Sequence, residues 1–198
     1  ALTRGLAERG HRAADLRRIL VTHMHADHHG LAVELARASG AEVWAHASSV
    51  GGPAEGRSLF RALGHNLRGL IAYARMMRWS GAPLRLMVRL ARMRRGMGEY
   101  AEPIAPDRAL SDGDVIRLGH HDWRVLHTPG HAGGLICLYQ AERELLISSD
   151  HLLRDISSNP IIDPPAPGER EPPRRLVQYL AQLRRVAALE EADSESLS

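Results

Sequence analysis

Three short stretches of this chain carry side chains that ligate metal ions. The first reads His23-Met24-His25-Ala26-Asp27-His28. Two histidines at i and i+2 leave the end of a strand on the same side, because strand side chains alternate with period two. Asp27 and His28 follow in the loop, where the backbone can turn them back towards the same point. The second stretch, Thr128-Pro129-Gly130-His131, follows a predicted strand, and its glycine permits a tight turn that points His131 inward. The third, Ser148-Ser149-Asp150, ends another predicted strand. His23, His25, Asp27, His28, His131 and Asp150 are enough for two metals sharing a water. Imidazole and carboxylate donors suit Zn²⁺, with Fe or Mn as alternatives. A structural zinc site would use thiolates, and Cys137 is the chain's single cysteine. The donor set therefore predicts a catalytic centre with an open position, at which Asp27 or Asp150 orients the nucleophile and takes its proton.

The surrounding pattern supplies the strands. Residues 18–22 are a short apolar, β-branched run that ends at His23; residues 31–39 are helical in pattern and stop at Gly40; residues 41–45 read as the next strand. Strand, helix and strand in about thirty residues predict a βαβ unit. Residues 2–9 predict a short helix. The second half is richer in strands, at 115–118, 123–127, 135–139 and 144–148, the last two forming a hairpin. A Pro-rich loop covers 160–173. A final amphipathic helix is expected over 174–191, with Leu176, Leu180, Leu183 and Ala187 on one stripe.

The chain has 198 residues, 44% hydrophobic and 25% charged, which is the composition of one ordinary globular domain. No stretch approaches the ~18 consecutive apolar residues of a membrane span. The first ten residues carry Arg4, Glu8 and Arg9 and lack the apolar centre of a secretory signal. With one cysteine there is no internal disulfide, so the expected compartment is the cytoplasm. All 26 basic residues are arginine, the mark of GC-rich bacterial coding. That weakens any reading of the arginines as a nucleic-acid surface, and a net charge of +3 is too small to imply a polyanionic partner. No nucleic-acid partner is expected, and the oligomeric state is open.

Residues 56–98 differ from the rest. They are rich in Leu, Met and Arg, with ten arginines against Glu55 and Glu99 between positions 55 and 100. Three readings compete: a helical insertion with a solvated arginine face, a lid whose apolar residues contact substrate, and a basic helix at a membrane surface. Of the other histidines, His29 reads as a helix-start or outer-shell residue, and His46 as a loop residue. His120 and His121 read as a surface turn. His11, His65 and His127 have no predicted partner.

The ligand pattern resembles that of the metallo-β-lactamase fold hydrolases, whose signature is H-x-H-x-D-H followed by a distant His, a bridging Asp and a last His. The form Thr-Pro-Gly-His-x-x-Gly at 128–134 is most similar to the glyoxalase II (hydroxyacylglutathione hydrolase) branch. The resemblance implies an α/β (α+β) fold, a four-layer αββα sandwich. It makes 1–198 a single domain with a helical insertion or lid at about 56–98. It also implies that His23, His25 and His131 hold one metal, Asp27 and His28 a second, and that Asp150 bridges both. Two family features have no counterpart: the opening hairpin with its Asp-Thr-Gly-like turn, and the closing Gly-His-Gly-like loop with the last His. His151 is the only histidine after His131, and as Asp150's neighbour it points to the opposite face. The expectation is an incomplete sandwich, truncated at both ends, with a weakened second metal site.

The function so implied is a metal-dependent hydrolase that directs a metal-bound hydroxide at an ester, thioester or lactone, with a small acyl compound as substrate. The alternatives are a phosphodiester hydrolase acting on RNA and a catalytically impaired metal-binding fragment.

Overall fold

The computed structural model of this chain describes residues 2–49, 106–160 and 174–195, with scattered positions between 71 and 92. Almost all of the 56–98 insertion, and all but the first residue of the 160–173 loop, lie outside the described residues. The chain divides into two compact units, one formed by residues 1–21, 25–45 and 50–109, the other by 22–24, 46–49 and 110–198.

The first unit opens with helix α1 (Leu2–Ala7) and continues into strand β1 (Arg18–Val21). Helices α2 (Ala26–His29) and α3 (Ala32–Ser39) then lead to strand β2 (Glu42–His46). β1 and β2 pair in parallel, Ile19 opposite Val43 and Leu20 opposite Trp44, so the predicted βαβ unit is present. Gly40 ends α3 in the left-handed conformation at φ 70°, its N–H returning to the Ala36 carbonyl at 2.7 Å. That conformation costs glycine nothing and a side chain something. A third strand, β3 (Arg108–Leu110), adds to the far edge of β2. At three residues it is too short for periodicity to signal it in the sequence. Trp44 carries the guanidinium of Arg18 at 4.8 Å and that of Arg108 at 4.5 Å over its ring, contacts in which arginine stacks as well as carries charge.

The second unit holds an antiparallel meander, β4 (Val115–Leu118), β5 (His121–His127), β6 (Ile136–Gln140) and β7 (Leu145–Ile147), in that spatial order. The β4–β5 turn is tighter than the sequence suggested. Leu118 pairs with His121, so Gly119 and His120 alone make the turn, and His121 belongs to the strand. Gly119 takes φ 62° there. Every residue of β6 is buried, as expected of a central strand covered on both faces. Leu126, Ala132, Leu135, Cys137 and Tyr139 form the core with Leu146 and Leu189 against them. Burial raises the Cys137 thiol to about 11, so it is a packing residue and not a nucleophile.

Helix α4 (Arg175–Glu195) closes the described chain. The expected stripe is not the buried face: Leu176 and Leu180 are exposed, and so is Ala187, while Arg175, Tyr179 and Val186 are buried. The reason is local. Tyr179 lies against the 128–134 loop, where a Cβ on Gly130 would stand 2.6 Å from the Tyr179 Cα. Only glycine lets the helix backbone come that close. No helix among the described residues is long and apolar enough to cross a membrane.

Candidate metal centre

Three segments of the second unit, each following a strand, carry three of the predicted ligands. Beyond β1 the chain runs through Thr22, whose carbonyl accepts the Ile136 N–H at 3.0 Å. This bond ties the segment to the central strand β6 and fixes the position of His23, which is 1% exposed. Beyond β5 comes Thr128, whose N–H donates to the Leu135 carbonyl at 2.9 Å, and then the loop to His131. Beyond β7 a single 3₁₀ turn, Ser149–His151, presents Asp150.

These three side chains converge. The Nε2 of His131 lies 3.2 Å from Oδ2 of Asp150, and the Nε2 of His23 lies 3.9 Å from the same oxygen. The two imidazoles meet edge to face, with centroids 5.1 Å apart. A ligating atom of His23 is within 4.8 Å of those of both His131 and Asp150.

The far side of each ring explains its orientation. The Nδ1 of His131 is 2.9 Å from the carbonyl oxygen of Asn159, an acceptor only, so Nδ1 carries a proton, and the neutral ring presents its Nε2 lone pair to Asp150. The Nδ1 of His23 lies 3.3 Å from the hydroxyl of Thr22. Neutral imidazole nitrogens turned towards a carboxylate oxygen are the donor arrangement that a shared cation uses. Zn–N of about 2.0–2.1 Å and Zn–O of about 2.0–2.2 Å place two donors on one ion a little over 3 Å apart. The donor set and its outer hydrogen bonds therefore fit a divalent metal.

His25, Asp27 and His28 belong to the first unit. His25 caps the start of α2 with an extended backbone, φ −82° and ψ 143°. Asp27 and His28 lie within that helix, with His28 Nε2 3.7 Å from Asp27 Oδ2 and the Asp27 side chain 78% exposed.

The remaining histidines divide clearly. His46 and His127, which the sequence left as a loop residue and a residue without a partner, stack face to face with centroids 3.7 Å apart. The Ser48 N–H donates to the Nδ1 of His46 at 3.1 Å, and His127 Nε2 donates to the Gly133 carbonyl at 2.8 Å. Burial, reinforced by repulsion from His127, pushes His46 down to about 4. Burial also lowers His127. The pair is a neutral packed element beside the 128–134 loop. His151 is fully buried with its ring on Tyr179 at 5.5 Å, and burial holds its pKa below the usual imidazole range. His121 sits at the surface, 3.9 Å from Glu142.

The metallo-beta-lactamase superfamily model matches residues 1–193. The chain belongs to that superfamily. The superfamily fold reaches across the chain: a metallo-beta-lactamase family protein from Thermus thermophilus superimposes with a TM-score of 0.72 at 28% identity, covering 95% of this chain and 56% of the other. Local sequence likenesses to curated proteins are short. The acyl-coenzyme A thioesterase MBLAC2 of Gallus gallus is 48% identical over 48 residues, 24% of this chain and 17% of the relative. The hydroxyacylglutathione hydrolase of Rhizobium johnstonii is 44% identical over 46 residues, 23% of this chain and 18% of the relative. The matched stretch thus spans less than a quarter of either curated relative.

Proposed function

We propose that this chain is a metal-dependent hydrolase of small acyl compounds, thioesters first among them. The observation that carries the reading is the convergence of His23, His131 and Asp150, both ring nitrogens meeting one carboxylate oxygen. The named relatives support the substrate class, since acyl-coenzyme A and acylglutathione are both thioesters by constitution. His25 joins His23 and His131 around one ion in this reading, Asp27 and His28 hold a second, and Asp150 serves both. Its support is the covalent link, because His25 follows two residues after His23. Zinc is the proposed metal, since the donors are imidazole and carboxylate and no cysteine is among them.

A divalent ion held there supplies Lewis acidity, which acidifies water and polarises a carbonyl oxygen. The protein's own part is orientation and proton handling. The Asn159 carbonyl and the Thr22 hydroxyl fix the two rings. Asp150 is partly shielded, with its side chain 22% exposed, and keeps a fixed acceptor oxygen at the reacting position. In this reading Asp27, whose side chain is open to solvent, takes a proton and releases it to bulk water. We further propose that both units act as one catalytic domain in the cytoplasm.

The test is hydrolysis of chromogenic acyl thioesters, lactones and simple esters by zinc-loaded and chelator-treated protein. Metal-dependent turnover of the thioester is expected. Equal rates with and without metal for every acyl substrate would sink the proposal.

A further inference from the structure

Ser149, the residue before Asp150, has φ 48°. That is the left-handed region, which a residue with a Cβ enters only at a cost. The turn does not need the Ser149 side chain to close. The His151 N–H already bonds the Ser148 carbonyl at 3.0 Å, and the Ser148 hydroxyl bonds the Leu152 carbonyl at 3.0 Å. What the Ser149 side chain does is reach 127 residues back along the sequence, its Oγ lying 2.8 Å from the hydroxyl of Thr22. The same Thr22 oxygen lies 3.3 Å from Nδ1 of His23. Thr22 is itself pinned by its carbonyl to the N–H of Ile136.

We infer that Thr22 and Ser149 are positioning residues, a two-hydroxyl relay that sets the tautomer of His23 and the placement of Asp150 together. The direction of the bonds follows from the site. His23 offers a lone pair towards Asp150 only if Nδ1 keeps the ring proton, so Nδ1–H donates to Thr22 Oγ1. The Thr22 hydroxyl hydrogen is then free to donate to Ser149 Oγ. Asn159 does the same for His131 with a carbonyl, which can only accept. A hydroxyl can do either, and Ser149 gives the Thr22 hydrogen an acceptor, which leaves Thr22 Oγ1 open to accept from His23. The strained backbone at Ser149 is the cost of bringing its oxygen to Thr22. The inference rests on the metal reading proposed above, yet its main readout needs neither metal nor substrate.

Three variants of the full chain test it: Thr22→Val, which keeps the shape and removes the hydroxyl; Thr22→Ser, which restores the hydroxyl; and Ser149→Gly, which removes the hydroxyl and relieves the backbone. The tautomer of His23 is read by ¹⁵N imidazole NMR on metal-free protein, and Zn²⁺ affinity by competition with a chromogenic chelator. Wild-type protein should show His23 protonated on Nδ1. Thr22→Val should mix the tautomers and weaken Zn²⁺ by about 10–100-fold, the usual loss for an outer-shell partner. Thr22→Ser should recover both. Ser149→Gly should raise the thermal midpoint while weakening Zn²⁺, a combination that a purely structural serine would not give. An Nδ1-protonated His23 with unchanged affinity in Thr22→Val would overturn the inference. Full-strength Zn²⁺ binding by Ser149→Gly would do so as well, and that variant decides the matter should Thr22→Val fail to fold. The tautomer result is independent of whether any thioester is hydrolysed.

Discussion

His131 and Asp150 face each other across 3.2 Å, Nε2 to Oδ2, while the opposite nitrogen of the same ring donates to the Asn159 carbonyl at 2.9 Å. The backbone acceptor leaves the imidazole one way to turn, and the carboxylate stands where its lone pair points. A ring fixed in this way would meet an ion with little ordering left to do on binding.

Asp150→Asn should therefore reduce Zn²⁺ affinity by more than the roughly 10–100-fold expected for loss of an outer partner, because it removes the charge on which both rings converge. His25→Ala should weaken binding in the proposed ligand set, whereas His46→Ala, whose ring is stacked on His127, should leave metal stoichiometry unchanged. Chelator competition and elemental analysis on the three variants measure this. Equal losses for His25→Ala and His46→Ala would mean that the ligand set is wrong.

The convergence of His23, His131 and Asp150 was legible because these residues sit in short local patterns that follow strands. His-x-His-x-Asp-His and Thr-Pro-Gly-His point to candidate donors by residue type and spacing, and the βαβ unit and the hairpin of residues 135–139 and 144–148 were read from local pattern. What fixes the ligands was not legible. The Asn159 acceptor is a backbone carbonyl, which every residue type offers. Thr22 and Ser149 are 127 positions apart, and no spacing rule connects them. Helix α4 misled for a different reason. Counting apolar residues picked Leu176 and Leu180, but the buried face is taken by Arg175, one guanidinium N–H of which donates to Gln178, and Tyr179, whose hydroxyl donates to the His151 carbonyl.

The stacked pair His46 and His127 predicts an acid limit for the metal-free protein. Both rings have lowered folded-state values, His46 at about 4. An imidazole unperturbed at about 6.5 binds its proton first in the unfolded chain. Stability should thus be full above about pH 6.5, fall as pH drops below it, and reach its floor once His46 itself protonates near 4. Urea unfolding at a series of pH values should show this slope, and His46→Gln should flatten it. A wild-type profile flat from pH 7 to pH 4.5 would contradict the burial of the pair.

Gly130→Ala should destabilise the fold by about 1–3 kcal/mol, the usual cost of overpacking. The new Cβ would meet the Tyr179 backbone at 2.6 Å, and φ at this position is 155°. Backbone atoms of a long helix cannot rotate away, so either α4 or the His131 loop must shift. Denaturant unfolding gives the energy, and Zn²⁺ affinity reports whether His131 moved. A variant as stable as wild type would show that the helix does not press on this loop.

Leu135→Ala tests the core beneath that loop. Leu135 is completely buried and its carbonyl receives the Thr128 N–H. Truncation should cost about 2–5 kcal/mol, the range for a leucine whose cavity refills incompletely. Because the loop rests on this residue, metal affinity should fall with stability, unlike a core change remote from the site. Val186→Ala, on the buried face of α4, is the comparison: it should lose stability and keep its affinity.

Metal should in turn stabilise the fold, and the size of that effect is fixed by mass action. A ligand that binds only the folded chain adds about 2.7 kcal/mol at 100 times its dissociation constant. Added Zn²⁺ should raise Tm progressively with concentration, and excess chelator should return it to the metal-free value. In His131→Ala the rise should be lost or displaced to far higher Zn²⁺, since that ring and His23 meet at Asp150. His120→Ala, in a solvent-exposed two-residue turn, should keep the wild-type response. A Zn²⁺-dependent rise that survives His131→Ala at the same concentrations would place the ion elsewhere, and surface histidines would then have to be searched for it.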